Sequence, residues 1–208
     1  SDAVIKDVCP NCNNDKLSEL DSYLSQLYDL YLNKRLSPGE STYIEYDYNK
    51  LLRSLLKISY NSARAGANKK IFKAHQNFSK YILNGHYQSN AQLRLLVVTS
   101  AHTLSDGEMT KEGLPVTHLR CADLNYDGSL SHRFFVRLIS INSFWFYLII
   151  SHRPERENKW DEFIKAFSSW RVQPGLLIAP TSTRLDIPVN QTTYMHPKLL
   201  GSLLNVNQ

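Results

Sequence analysis

The run Phe134-Phe135-Val136-Arg137-Leu138-Ile139, then the polar break Ser140 to Ser143, then Phe144-Trp145-Phe146-Tyr147-Leu148-Ile149-Ile150 decides the fold class. Both runs are strand length and crowded with β-branched and aromatic residues, and the short polar break suits a hairpin. Antiparallel sheet is therefore expected. Outward from it, Leu93-Arg94-Leu95-Leu96-Val97-Val98 reads as a further strand, and residues 117–121 and 176–178 as two more. A helix over about residues 159–170 is expected to cover the sheet. Between strands, Asp123-x-Asn125-x-Asp127-Gly128 begins like a calcium loop. Its twelfth position is Phe134 rather than a bidentate Glu, so a turn rich in Asp, Asn and Gly is the better reading.

Toward the N-terminus the texture is helical. Leu20, Leu24, Leu27, Leu30 and Tyr31 recur at helical spacing, with Ser18 and Asp21 as a variant capping box and Ser37-Pro38-Gly39 as the stop. A second helix from about Tyr46 carries Leu51, Leu52, Leu55, Leu56 and Tyr60 on one side and fades near Gly66. A third spans residues 69–83, with Ile71, Phe72, Phe78, Tyr81 and Ile82 as apolar positions, and Asn84-Gly85 ends it. The class is α+β.

Bulk properties narrow the function classes. Over 208 residues, 42% hydrophobic and 11% aromatic content excludes a disordered chain. The longest apolar stretch, residues 139–150, is too short to span a bilayer, so no membrane association is expected. Residues 1–6 lack the apolar core of a signal peptide, and a cytoplasmic location is the expectation. Cys9 and Cys12 are too close for a useful structural disulfide, and Cys121 stands alone, which favours metal binding in a reducing compartment. The net charge of +5 and pI near 9.0 suit an anionic partner. The positive charge concentrates in residues 41–90, which hold eight Lys and Arg against two Asp and Glu.

The sharpest local signal is Val8-Cys9-Pro10-Asn11-Cys12-Asn13-Asn14-Asp15-Lys16, a short strand over residues 4–8 running into a C-x-x-C turn and then a helix. Two thiolates at this spacing can grip one zinc ion, which takes four ligands. The spacing alone leaves a structural zinc half-site, a redox pair and a coincidental turn open, although no βαβ setting supports the redox pair.

The string C-x-x-C-N-x-x-K after an apolar strand resembles the end of the zinc-knuckle branch of the HNH endonuclease superfamily. The continuation Leu17-Ser18-Glu19-Leu20-Asp21, followed by Leu51-Leu52-Arg53-Ser54-Leu55-Leu56-Lys57-Ile58-Ser59-Tyr60-Asn61, is similar to the tail of one bacterial branch. The resemblance implies that Cys9 and Cys12 are the second pair of a structural Zn2+ site. It implies that Asn13 stands at the position that helps bind the catalytic Mg2+ or Mn2+, and that Lys16 is a basic residue of the following helix. The family's first C-x-x-C and the acidic–His pair that activates water match nothing here and would lie upstream of Ser1. The chain is thus expected to be the C-terminal portion of a longer nuclease and inactive by itself, because Asn cannot act as the general base. By family habit, DNA is the partner and anti-phage defence beside an ATPase subunit is the setting.

On the second helix Lys50, Arg53, Lys57 and Arg64 recur at spacings that put most of them on one face, where they could follow a DNA backbone or simply be solvated. Lys69, Lys70, Lys73 and Lys80 extend the same alternatives to the third helix. His118 and Cys121 would point to opposite faces of a strand and make a poor metal pair. Trp145, Trp160 and Trp170, interleaved with aliphatic residues, read as core. Three segments are expected: 1–36, the C-terminal half of the HNH knuckle; 41–88, a basic helical segment; and 91–208, an α+β domain of antiparallel sheet with a covering helix. The rival to a nuclease is a non-catalytic zinc-knuckle module that binds nucleic acid or a protein.

Overall fold

The computed structural model describes residues 12–65, 69–86, 90–99, 119–169 and 173–194. The strand expected over residues 4–8, Cys9, His118 and Trp170 lie outside the described residues, as do the side chains of Cys12 and Asn13. The first described residue, Cys12, is already helical. A π-helical turn, Cys12–Leu17, leads into α1, Ser18–Leu27, and a second π-helical turn, Tyr28–Leu32, follows. Ser18 is therefore inside the helical run rather than its cap, and its hydroxyl donates to the Asp15 carbonyl at 2.9 Å. The second π turn also changes which residue faces inward. Its wider, i→i+5 bonded turn brings Leu32 under Leu27, so Leu32 is fully buried whereas Leu30, which regular spacing would bury, is 64% exposed.

After a short strand β1, Thr42–Glu45, comes the long helix α2, Tyr48–Ala65. Asp47 caps it by accepting the Lys50 backbone N–H at 3.0 Å, and Leu51, Leu52, Leu55 and Leu56 are buried as their periodicity predicts. The helix expected over residues 69–83 is two: α3, Lys69–Gln76, and α4, Ser79–Asn84. A tight turn divides them, in which the Phe78 N–H donates to the His75 carbonyl at 2.9 Å. The change of direction lets Ile71, Ala74 and His75 before it and Phe78, Tyr81 and Ile82 after it all reach the interior. Gly85, at φ 72°, closes α4 as expected, with its N–H on the Tyr81 carbonyl.

The main sheet contains β2 (Ala91–Thr99), β3 (Leu119–Leu124), β4 (Phe134–Ile141), β5 (Phe144–Ser151), β6 (Leu176–Leu177) and β8 (Thr192–Tyr194). Its order is β3-β4-β5-β2-β6, antiparallel throughout, and β8 adds to β2 in parallel. The β4–β5 hairpin is tighter than the polar break suggests: only Asn142 and Ser143 form the turn. Asn142 takes a φ of 49°, which Asn tolerates better than most residues, and its side-chain amide donates to the Leu32 carbonyl at 2.8 Å. β6 approaches β2 so closely that a Cβ on Gly175, just before β6 and at φ 69°, would lie 2.5 Å from the Leu95 carbonyl oxygen. A separate antiparallel ribbon joins β1 to β7, Arg184–Ile187. The sequence reading lacks this ribbon, because β1 buries only Ile44 and offers almost no alternation to read.

Both faces of the main sheet are covered. Phe144, Phe146, Leu148 and Ile150 of β5 face the helices α1, α2 and α4, while Trp145, Tyr147 and Ile149 face α5, Glu157–Ser168, through Phe163 and Phe167. The first of these cores takes in Leu20, Leu55 and Leu93, so all three expected segments contribute to one apolar cluster. Trp145 is buried in the second core, as read from sequence.

Candidate functional site

The helical run that begins with Cys12 is fastened to its neighbours at several points. Ser54 Oγ donates to the Leu20 carbonyl at 3.2 Å. Lys57 Nζ reaches both carboxylate oxygens of Asp21 at 2.6 Å and the Leu17 carbonyl at 3.3 Å. Lys50 pairs with Glu19 at 2.9 Å, and that hydrogen-bonded charge holds the Glu19 carboxyl below its ordinary range. Lys16 Nζ donates to Asn84 Oδ1 at 2.7 Å. The result is a helical run set firmly on α2 and α4. Two thiolates fit half of a tetrahedral zinc site, and the Asn13 carboxamide is one oxygen donor of the kind a hard cation takes.

The same contacts redefine the basic stripe of α2. Arg53 is 9% exposed and donates from Nε to the Ile82 carbonyl at 2.9 Å and from Nη2 to the Leu83 carbonyl at 3.3 Å, serving the last turn of α4. Lys50 and Lys57 pair with acids of α1. Arg64 sits over the Tyr60 ring, 5.9 Å from its centroid. Helical spacing correctly gives one stripe of cations, but α1 and α4 lie along much of it and engage those cations within the fold.

One polar cluster had no counterpart in the sequence reading. Arg137, in the middle of β4 and 3% exposed, donates from Nε to Ser59 Oγ at 3.0 Å, from Nη2 to Ser62 Oγ at 2.9 Å and Cys121 Sγ at 3.3 Å, and from Nη1 to Asp123. Ser59 also meets His75 Nε2 at 2.8 Å, while His75 Nδ1 lies 2.8 Å from the Ile71 carbonyl. A carbonyl only accepts, so Nδ1 carries the proton and Nε2 accepts the Ser59 hydroxyl. Burial pushes His75 down to about 4 and raises the Cys121 thiol. A Ser–His pair of this geometry resembles an activated nucleophile. Ser59 and His75 are, however, 0% exposed, and Arg137 donates to the same hydroxyl that would have to attack. The arrangement joins α2, α3, β3 and β4 through a satisfied polar layer. Its signal in the sequence is Arg137 itself, a single cation inside an apolar strand.

Asp123, the first residue of the calcium-like loop, is engaged by Arg137. Among the described residues no group of three or more His, Cys, Asp or Glu side chains is placed to hold a metal ion, and no helix is long and apolar enough to cross a membrane. Comparison with protein-family models, curated proteins and solved structures finds no match to the chain.

Proposed function

We propose that the chain is the C-terminal part of a metal-dependent HNH-type DNA endonuclease, in which residues 1–36 carry the end of the zinc knuckle and the described elements that follow hold it. The observation that supports this reading is the helical run from Cys12, the second cysteine of the C-x-x-C spacing, fastened to α2 by Ser54 and Lys57. A metal-binding residue on such a helix is held in place by elements that do not themselves bind the metal, as pre-organised sites require. In this reading Cys9 and Cys12 supply two zinc ligands, and Asn13 helps to orient the catalytic cation. A divalent cation bound there supplies charge stabilisation to the leaving oxygen of a phosphodiester. The general base and the other zinc ligands come from residues beyond this chain.

The test joins the native upstream coding sequence to residues 1–208 and measures zinc content and magnesium-dependent cleavage of plasmid DNA. We expect about one zinc per chain, lost in Cys9→Ser/Cys12→Ser, and cleavage reduced at least ~100-fold in Asn13→Ala with zinc retained. Zinc binding without cleavage would instead support the non-catalytic module. Absence of zinc in the restored protein would reject both.

A further inference from the structure

The cations of α2 are largely engaged within the fold, and a second set lies where β4 begins and β5 ends. There β4 begins beside the end of β5: Phe134 pairs with Ser151, and the His152 N–H donates to the Arg133 carbonyl at 3.0 Å. This register gathers His132, Arg133, His152 and Arg153, and Arg156 follows immediately before α5. The carboxylate among them is Glu155, which takes Nε and Nη2 of Arg133 at 2.9 and 2.7 Å and Nε of Arg153 at 3.2 Å. Its side chain is only 3% exposed, against 67% for Arg153. Glu155 therefore anchors two guanidinium planes from beneath, and the solvent meets guanidinium rather than carboxylate. The terminal nitrogens of Arg153 make no hydrogen bond among the described residues. Arg156 is exposed, as is Glu157 in the first turn of α5, which offsets one charge. Planar, pre-oriented guanidinium groups match phosphate oxygens better than flexible ammonium groups do.

We infer that this margin of the sheet, with Arg153 and Arg156 around the Glu155 anchor, docks the phosphodiester backbone of duplex DNA. The inference rests on the reading of the chain as part of a DNA endonuclease, and it assigns the contact to a surface other than α2. The experiment is a salt titration of binding to a short fluorescein-labelled DNA duplex, followed by anisotropy, with the full 208-residue chain. Arg153→Gln/Arg156→Gln should bind about tenfold more weakly near 0.1 M salt and lose about two from the slope of log affinity against log salt. Lys50→Gln should bind as the native chain does, and all three proteins should share one thermal midpoint. Native affinity and slope in the double variant, an equal loss in Lys50→Gln, or no duplex binding by the native chain would each overturn the inference. Cleavage by the upstream-restored protein is read separately: cutting with unaltered binding by the double variant rejects this surface alone, and an Arg153-dependent contact without cutting rejects the nuclease alone.

Discussion

His75 is the residue whose burial carries the plainest consequence. The unfolded chain takes up its proton near the ordinary value of 6.5, whereas burial beside Arg137 holds the folded value at about 4. Between those values the unfolded state binds more protons, so this contribution is complete above pH 6.5 and is lost as pH falls toward 4. The full loss is about 3 kcal/mol. Urea midpoints measured across that window should fall steeply for the native chain and more gently for His75→Gln; parallel curves would show that His75 is not the titrating group. Tyr147 offers the opposite case. Its hydroxyl is buried without a hydrogen-bond partner among the described residues, so Tyr147→Phe should leave stability unchanged or raise it by about 1 kcal/mol, measured in the same assay. Neither role was readable in the sequence, because each depends on what stands across from the residue. By contrast, the aliphatic residues around it were enough to place Trp145 in the interior.

At the scale of elements, Arg53 separates a structural cation from a phosphate-binding one. It bonds the Ile82 and Leu83 carbonyls at the end of α4. Arg53→Met should therefore destabilise the protein by about 2 kcal/mol, as buried carbonyls lose their donor. A denaturation curve identical to the native one would show that α4 does not depend on this contact. Periodicity revealed α2 and its leucines because apolar residues outnumber exceptions along one face. The same periodicity misplaced Leu30, because it assumes a regular pitch and the π turn after α1 breaks that pitch. It also fused α3 with α4, since the apolar positions before and after the Asn77-Phe78 turn remain in helical phase on paper. A helix after the C-x-x-C turn was anticipated, but with Ser18 as its cap and not inside the run, and the contacts that fix it come from residues more than thirty positions away.

For the whole molecule, the shared apolar cluster predicts how the chain unfolds. Leu20, Leu55, Leu93 and Phe146 belong to one core, while Trp145 and Trp160 report on the other face of the sheet. The sheet is common to both, so tryptophan fluorescence and far-ultraviolet circular dichroism should trace a single coincident transition in urea. Two separated transitions would mean that the helical layer unfolds independently of the sheet, as the boundaries at residues 36, 41, 88 and 91 suggest. The α+β class was visible from composition and run length alone. The merging of the segments was not, since nothing in a one-dimensional pattern says that the two faces of β5 are covered by elements from opposite ends of the chain.

The β1–β7 ribbon gives that merging a consequence in time. Glu45 of β1 and Arg184 of β7 are opposite each other in space and 139 residues apart in the chain. On a ribosome that adds ~5–20 residues per second, β1 waits roughly 7–28 s for its partner to be synthesised. Through that interval Ile44 has no strand beside it, and the helical layer has no finished sheet to rest on. The ribbon is thus a late event, which closes only after nearly all of the described residues have been made.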